Sequence, residues 1–237
     1  MRGHIAMDQS QKDALVEEFF SNTGASYNAI VNTFTFGIDS LWKKKIAGKI
    51  SAPKRILDLA CGTGLLTFLL AKQFPKSEIV AVDIASGYLE VAWRNAFSQQ
   101  IKNVSFVLGR AEEFKTTESF DVVTASYLPK YANLNQLIPN LSEIMSPNGL
   151  LLLHDFTYPR KPILRALFEG YFKLVPTISG WWHPEWRPIL KKLPHLIREA
   201  TWVADLVKIL PQHRFHKITI EPLTLEGSTL VTARKMS

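Results

Sequence analysis

A chain of 237 residues, 46% of them hydrophobic, is long enough to bury the core of one α/β domain with a modest appendage. Its longest apolar runs fall far short of the roughly 20 residues that cross a bilayer, so we expect a protein that is soluble or at most peripheral to a membrane. The formal charge of +7 permits an anionic partner. However, the basic residues are dispersed, apart from the run at 43–45, and do not alternate with aromatic residues. We therefore expect no nucleic-acid partner.

The amino-terminal residues and the cysteine content favour a reducing compartment. Residues 1–7 lack the apolar centre of a secretory signal, and the one cysteine, Cys61, has no partner for an intrachain disulfide. The six histidines are scattered and no paired-carboxylate spacing is present, so we expect no metal site. The expected location is cytoplasmic, with peripheral membrane contact and a homodimer left open.

Hydrophobic patterning predicts an irregular amino-terminal segment, followed by strands and helices that alternate regularly. Residues 13–20 read as a helix, and a mixed aromatic and polar segment, 27–42, leads into the basic run. Beyond it, short β-branched or leucine-rich runs alternate with longer helical patterns. The predicted strands are 55–59, 78–83, 104–108, 120–125 and 150–155, and the predicted helices between them are 65–73, 86–100 and 134–145. This alternation is typical of a parallel, doubly wound sheet.

The carboxyl-terminal part has a different pattern. Strand-like runs at 215–221 and 228–234 flank a short turn, so a hairpin makes the last strand antiparallel. Before it, residues 158–211 carry six prolines before Pro211 and four of the six tryptophans, too many for a plain crossover. We interpret them as a helical lid within a single domain, residues 1–237, in which 1–53 form an amino-terminal cover.

The motif CGTG at 61–64 interrupts an apolar strand and is followed at once by a helical pattern. Gly62 and Gly64 therefore lie in a turn where backbone can approach a ligand, beside helix N–H groups that suit an anionic group. The third small residue of the dinucleotide fingerprint is absent, which disfavours a nicotinamide cofactor. Asp83 ends the second strand, 19 residues after Gly64, where a carboxylate can accept hydrogen bonds from ribose hydroxyls. A nucleoside ligand is predicted; capping the helix near Ser86 is the alternative role of Asp83, and both can coexist.

Several motifs carry a resemblance to a known family. The stretches LDLACGTG at 57–64, VAVDIA at 80–85 and FDVVTASY at 120–127 look like the class I S-adenosylmethionine-dependent methyltransferases. Within that class, the segments at 27–44 and 148–159 resemble the amino-terminal signature and the fifth-strand segment of the ubiquinone/menaquinone biosynthesis C-methyltransferases. The resemblance implies a Rossmann-like sheet of seven strands with a terminal antiparallel hairpin, and S-adenosylmethionine as the cofactor.

The resemblance also implies which residues contact that cofactor. It places Asp58 opposite the ammonium group of the methionine part and Asp83 at the ribose. Glu112 is left open between a site residue and an ordinary first-turn helix acid. The other implied contacts are Ala60, Gly62, Thr63 and Gly64 around the methionine part, Ile84 and Ala111 near the adenine, Arg110 beside them, and Ser126 closing the site.

One residue and two residue pairs depart from the family pattern. Arg110 stands where the family usually has an acidic or amide residue. Lys130 and Tyr131 replace an Arg-Asn pair, and Asp39 with Ser40 replaces a His-Arg pair. In the family these positions are associated with the quinol substrate and its activation. The departures therefore leave cofactor binding intact but put the acceptor and the general base in doubt.

Methylation of a ring carbon requires an electron-rich ring, most simply made by removing a hydroxyl proton, so a base is expected near the ends of the fourth and fifth strands. Tyr131, His154 and His183 are the predicted catalytic residues. A structural role is the alternative for His154, and packing beneath the lid is the alternative for Tyr131. The predicted acceptor contacts are Tyr127, Lys130, Asp155 and Trp182.

The favoured reaction is C-methylation of a lipophilic quinol or a related aromatic small molecule. One alternative is O-, N- or S-methylation of another small molecule. A second is a catalytically inactive, cofactor-binding interaction protein. Methylation of nucleic-acid bases is disfavoured because residues 126–129, Ser-Tyr-Leu-Pro, differ from the Asn/Asp-Pro-Pro-aromatic motif of base amino methyltransferases.

Overall fold

A seven-stranded sheet organises the chain in the computed structural model, which describes residues 9–20, 23–182 and 184–237. The strand order is β3-β2-β1-β4-β5-β7-β6. Strands β1 to β5 are parallel, and β7 runs antiparallel to both of its neighbours. The strands are β1 (Arg55–Leu59), β2 (Glu78–Asp83), β3 (Val104–Leu108), β4 (Phe120–Ser126), β5 (Met145–Phe156), β6 (Phe215–Leu223) and β7 (Ser228–Lys235). The predicted Rossmann-like sheet with a terminal hairpin is confirmed.

Helices cover both faces of the sheet and its carboxyl edge. In the described residues they are α1 (Gln9–Phe20), α2 (Tyr27–Phe34), α3 (Ile38–Gly48), α4 (Leu65–Gln73), α5 (Ser86–Ser98), α6 (Leu134–Ile144), α7 (Pro162–Trp182), α8 (Arg187–Glu199) and α9 (Trp202–Ile209), with short 3₁₀ turns at Pro184–Trp186 and Leu210–His213. None of the helices in these ranges combines the length and the hydropathy that a membrane span requires.

The two faces of the sheet follow the two-residue period of extended chain. Ile56 of β1 faces α3 and α4, where it joins a cluster with Ile46 and Leu70. Its neighbour Leu57 points the other way, into a cluster that includes Leu137 of α6. Each face therefore has its own buried core, and adjacent residues at the strand ends point to opposite sides of the sheet.

Strand β5 begins five residues earlier than the sequence predicts. Met145 already pairs with Phe120, and the register shifts before Val122 pairs with Leu150. The intervening sequence, Ser-Pro-Asn-Gly at 146–149, is turn-like, so a bulge absorbs it within the strand. The turn-like residues therefore predicted that β5 begins after them, whereas pairing with β4 extends the strand back to Met145.

The chain order reverses at the sheet centre. From β1 the chain moves outward to β2 and β3, then returns to place β4 on the other side of β1. In open α/β sheets, a crevice forms at the carboxyl ends of the two strands that flank such a switch point. The amino-terminal helices approach this edge, and the lid helices contact them: the Tyr171 hydroxyl of α7 donates to the Phe34 carbonyl of α2, and Trp186 Nε1 donates to Ser26 Oγ at 2.9 Å.

Candidate functional site

The loop between β1 and α4 has backbone geometry that requires its glycines. Gly62 has φ of 57° and Gly64 has φ of 90°, in the left-handed region that favours glycine. A Cβ atom on Gly64 would lie 2.4 Å from Cζ of Phe68, one turn along α4. Within the described residues, no side chain caps the first turn of this helix. The loop therefore presents backbone and a helix N-terminus toward the crevice.

Asp83, the last residue of β2, joins this loop to the next one. Its Oδ2 accepts a hydrogen bond from the Gly62 backbone N–H at 2.7 Å, and its Oδ1 accepts one from the Ala85 N–H at 2.9 Å. The side chain is buried, and burial raises its pKa while these N–H groups oppose the shift. Because a carboxylate has about four acceptor positions, capacity remains for two hydroxyl donors.

A cavity of about 60 Å³ opens beside Asp83, and we refer to it as the Asp83 cavity. Its wall contains Val16 of α1 and Tyr131, so the amino-terminal cover closes it from above. The buried Glu112 also lines it and accepts a hydrogen bond from the Asn133 N–H. Five of the residues that the resemblance assigned to the cofactor line this one cavity: Ala60, Asp83, Ile84, Arg110 and Ala111.

Asp58 lies behind the loop. Its two carboxylate oxygens accept hydrogen bonds from Thr67 Oγ1 at 2.6 Å and Thr124 Oγ1 at 2.8 Å. Burial raises the pKa of Asp58 to about 6, although both hydroxyl bonds lower it. Thr63 is buried and donates to Asn28 of α2. Ser126 faces away from the Asp83 cavity and contacts His154 instead.

Aromatic residues of the cover pack directly on the glycine loop. Tyr88 of α5 makes an edge contact with Tyr27, at 5.1 Å between ring centroids, and its hydroxyl lies 2.6 Å from Thr23 Oγ1. Phe20 at the end of α1 contacts the rings of both Tyr88 and Tyr131 edge-on. A site role for Tyr27 or Tyr88 could not be predicted from the sequence, because their contacts join segments far apart in the chain.

A second cavity, of about 90 Å³, lies on the other side of Tyr131, and we refer to it as the aromatic cavity. Tyr131 lines both cavities. The other polar lining side chains include Tyr27, Tyr127 and Lys130, and most of the remaining wall is apolar. Burial raises the pKa of each of these three tyrosines well above its ordinary value. They therefore stay protonated and act as hydrogen-bond donors at neutral pH.

Lys130 and Asp155 form a buried ion pair at the wall of this cavity. Lys130 Nζ lies 2.7 Å from Asp155 Oδ1, and the Lys130 backbone N–H donates to Oδ2 at 3.0 Å. The ammonium nitrogen also lies 4.2 Å from the centroid of the Tyr131 ring. Burial lowers the pKa of Lys130 and raises that of Asp155, and the mutual attraction opposes both shifts. Of the pair, Lys130 lines the cavity and Asp155 lies behind it.

A second buried pair, Lys43 with Asp39 of α3, holds Tyr127 from the opposite side. The Tyr127 hydroxyl donates to Asp39 Oδ1 at 2.6 Å, and Lys43 Nζ bonds to the same oxygen. Lys43 Nζ lies 4.9 Å from the Tyr127 ring centroid. The sequence analysis identified Asp39 only as a departure from the family pattern and missed Lys43. Their four-residue spacing was the available signal, because it is typical of a helical ion pair.

His154 lies on the other face of β5 from Asp155, as strand alternation requires. Its Nδ1 is 2.9 Å from Ser126 Oγ, its Nε2 is 2.6 Å from Ser228 Oγ, and the side chain is fully buried. Burial lowers its pKa well below the ordinary value. Neither the Asp83 cavity nor the aromatic cavity includes His154 in its wall. The catalytic role of His154 stays a prediction, and this geometry supports the structural alternative.

Two predicted residues of the lid cannot be placed in this way. His183 and the side chain of Trp182 lie outside the described part of the structure. A neighbouring tryptophan, Trp186, lines the aromatic cavity. The predicted roles of Trp182 and His183 stay predictions.

An apolar groove of about 320 Å³ continues from the aromatic cavity to the surface. It lies between the α2–α3 turn, the β6–β7 turn and α7, with Phe36, Leu167 and Leu225 in its wall. The groove and the aromatic cavity share five lining residues: Phe34, Thr35, Phe156, Leu190 and Leu193. The two cavities and the groove are therefore neighbours: Tyr131 separates the Asp83 cavity from the aromatic cavity, and the groove adjoins the aromatic cavity on the side of the surface.

Comparison with known proteins identifies the family of this chain. Residues 7–182 match the model of the ubiE/COQ5 methyltransferase family. The chain belongs to that family. It is similar to demethylmenaquinone methyltransferase of Lactobacillus johnsonii, with 28% identity over 221 residues, covering 91% of this chain and 90% of the relative. It is also similar to the ubiquinone/menaquinone biosynthesis C-methyltransferase UbiE of Pseudomonas paraeruginosa, with 30% identity over 185 residues, covering 75% and 72%.

Solved structures support the fold. The magnesium protoporphyrin IX methyltransferase of Synechocystis with bound SAH superposes with a TM-score of 0.67 at 16% identity, covering 94% of this chain and 99% of that one. The plantazolicin methyltransferase BpumL in complex with SAH gives 0.66 at 14% identity, covering 95% of each chain. This member of the ubiE/COQ5 family is a methyltransferase that uses S-adenosylmethionine.

The residues around the Asp83 cavity fit that cofactor. Asp83 retains acceptor capacity for ribose hydroxyls, and the exposed, apolar Ile84 offers a surface for a base. Gly62 and Gly64 allow close approach to the first turn of α4, whose N–H groups suit a carboxylate. When bound, S-adenosylmethionine supplies the electrophilic methyl group of an in-line displacement. The protein must hold the acceptor in line with that group.

Proposed function

We propose that this enzyme C-methylates a lipophilic quinol or a related aromatic small molecule, with the aromatic head in the aromatic cavity. The observation that carries the proposal is the succession of the Asp83 cavity, the aromatic cavity and the apolar groove, in which Tyr131 forms a common wall of the two cavities. A head group in the aromatic cavity would be next to the cofactor across Tyr131, and an apolar tail can extend into the adjoining groove. Two similar proteins are named for demethylmenaquinone methylation and for ubiquinone/menaquinone biosynthesis, which agrees with such an acceptor.

Tyr131 is proposed to orient the acceptor. Because its pKa is raised well above the ordinary value, the phenol keeps its proton and donates to an oxygen of the acceptor. It lines both cavities, so an oxygen held there lies at the boundary between cofactor and acceptor. Its role is therefore to fix the distance and the angle between the acceptor atom and the methyl group, on which in-line displacement depends.

Lys130 is proposed to favour the ionised form of the acceptor hydroxyl. Asp155 holds Lys130 in the cavity wall by accepting two hydrogen bonds, one from the side-chain ammonium and one from the backbone N–H. A cation near a phenolic hydroxyl lowers the pKa of that hydroxyl, and the resulting oxyanion makes the ring carbon more nucleophilic. Lysine presents one point charge where arginine would bind two oxygens, so we expect a single acceptor oxygen there.

The test is single-turnover transfer of labelled methyl from S-adenosylmethionine to a quinol with a short alkyl tail, with mass spectrometry to locate the methyl group. Tyr131→Phe should lose at least about 10²-fold in turnover, as is typical when a positioned proton donor or acceptor is removed, and keep its cofactor affinity. Tyr158→Phe is the matched control, because it also removes a bonded hydroxyl, to Glu169, but outside the aromatic cavity.

His154→Ala and His183→Ala complete the series of predicted bases. Full turnover in both histidine variants and in Tyr131→Phe would contradict the proposed position of the acceptor. A methyl group found on oxygen, nitrogen or sulfur would support the alternative of another small-molecule methyltransferase. If the wild type transfers no methyl group to the quinol while cofactor binding is intact, the proposed quinol acceptor is contradicted.

A further inference from the structure

An apolar surface surrounds the mouth of the groove, and we refer to it as the lid face: Phe36, Ile163, Leu167, Leu174 and Leu225. Phe36, Leu167 and Leu225 line the groove itself, and Phe36 is 79% exposed. Ile163 and Leu174, exposed by 72% and 65%, extend the surface along α7. Spacings of four and seven residues from Leu167 place them in one stripe of that helix. Contiguous exposed side chains of this size mark an interaction surface.

The lid around this surface is strongly basic. Residues 158–211 contain nine lysines and arginines but four aspartates and glutamates, and thus carry five of the seven net positive charges of the chain. Arg160 and Lys161 immediately precede α7 and are exposed. The nearby acids are engaged: Glu226 accepts from the Arg160 N–H, and Glu169 bonds to Arg198. An apolar face with a basic surround matches an anionic lipid surface.

We infer that the lid face docks on an anionic lipid bilayer, with the groove mouth opening toward the acyl chains. The inference rests on the proposed function, because an acceptor with an apolar tail resides in the bilayer and can enter the groove from this side without crossing water. The same charges disfavour a second copy of the chain as the occupant. A two-fold interface would place one basic lid against another.

The test is co-sedimentation of the full chain with vesicles of phosphatidylcholine, alone or mixed with phosphatidylglycerol, at low and at physiological salt. The double variant Ile163→Ser, Leu174→Ser removes two lid-face side chains that do not line the groove. Its matched control is Trp93→Ser, Phe97→Ser, an exposed and stacked pair on α5. Both variants are checked for cofactor affinity and circular dichroism.

Wild-type protein should bind the anionic vesicles in preference to the neutral ones, more strongly at low salt. The lid-face variant should bind them about tenfold more weakly or worse, and the α5 control should stay within about twofold of wild type. The single variant Leu225→Ser tests the same surface at a different element, the β6–β7 turn, and should also weaken vesicle binding. Transfer to a water-soluble, tail-less quinol should be unchanged in the Ile163, Leu174 variant.

Three results would overturn the inference: no wild-type binding to anionic vesicles at low salt, equal binding by the lid-face variants, or a homodimer in light scattering that these variants dissociate. The last would make the face a protein interface. Failure of wild type to methylate any quinol would instead contradict the proposed function, whatever the vesicles show. The two hypotheses can therefore fail separately.

Discussion

Replacing Asp83 with alanine should separate cofactor recognition from folding. The carboxylate accepts N–H bonds from Gly62 and Ala85, so it fixes both loops that border the Asp83 cavity. In the complex it should also accept hydrogen bonds from the ribose hydroxyls. The substitution therefore removes two intramolecular hydrogen bonds from the folded protein and a charged acceptor from the bound state.

The expected size follows from these contacts. A hydrogen bond to a charged group contributes about 1.5–3 kcal/mol, so loss of the ribose contact should weaken cofactor binding by about 10- to 150-fold. Separately, two backbone N–H groups lose their partner, and each one that stays buried and unsatisfied costs about 1–3 kcal/mol of folding stability. Binding and stability should both decrease, through different atoms.

Asp121 provides the matched control. Its Oδ2 accepts two backbone N–H bonds, from Lys54 at 2.8 Å and Arg55 at 3.0 Å, near the start of β4 and thus at the opposite edge of the sheet. Asp121→Ala should lose stability by the same mechanism but bind cofactor like wild type. Isothermal titration with S-adenosylmethionine and urea unfolding measure the two effects. Wild-type affinity in a folded Asp83→Ala protein would refute the assignment of Asp83 to the ribose.

Three further predictions follow from the site. Burial raises the pKa of Asp58 to about 6, and we propose that the charged form of this carboxylate meets the cofactor ammonium. Titration calorimetry should therefore show a constant cofactor affinity above about pH 6 and a fall of up to about tenfold per pH unit below it. Asp58→Asn should abolish this pH dependence. Gly64→Ala, at φ of 90° and against the Phe68 ring, should destabilise the fold by about 1–3 kcal/mol in urea unfolding, whereas Gly48→Ala, with open space around it, should not. Lys130→Met should cost about 3–5 kcal/mol in the same assay by leaving its partner carboxylate buried and unpaired. Replacing that partner with asparagine as well should restore part of the loss, because the amide has no charge and keeps an acceptor for the Lys130 and Phe156 backbone N–H groups.

The sheet could be predicted from sequence because its signals are local. The bounds of β1, β2 and β3 match the apolar runs, since each run is short and bordered by polar or turn residues. The start of β5 could not be predicted from sequence, because Met145 pairs with Phe120 although turn-like residues follow it. Propensity describes a segment by itself, whereas register depends on a neighbour far along the chain.

The two halves of the site differ in the same way. The position of Asp83 beside the glycine loop could be predicted from the sequence, because Asp83 and the loop lie at the carboxyl ends of consecutive parallel strands. The aromatic cavity could not be predicted from sequence, because its wall is made of α2, α8 and the loop after β4, which meet only in the folded chain. Asp39 and Lys43 in particular have the spacing of a solvated helical pair, yet both are buried on the inner side of α3.

The buried ion pairs on either side of Tyr127 are costly features for a core. Desolvating a lysine and a carboxylate usually costs more than their attraction returns, and apolar residues of similar size would be as stable or more so. Lys43 and Lys130 nevertheless both lie close to the Tyr127 ring, at 4.9 and 5.5 Å from its centroid. Their partners, Asp39 and Asp155, are on different elements, so one local packing requirement does not account for both. Each lysine is paired with a carboxylate, so each pair is neutral as a whole, but the Lys130 side chain lines the aromatic cavity while its partner lies behind it. That orientation is the one that the proposed stabilisation of an acceptor oxyanion by Lys130 requires.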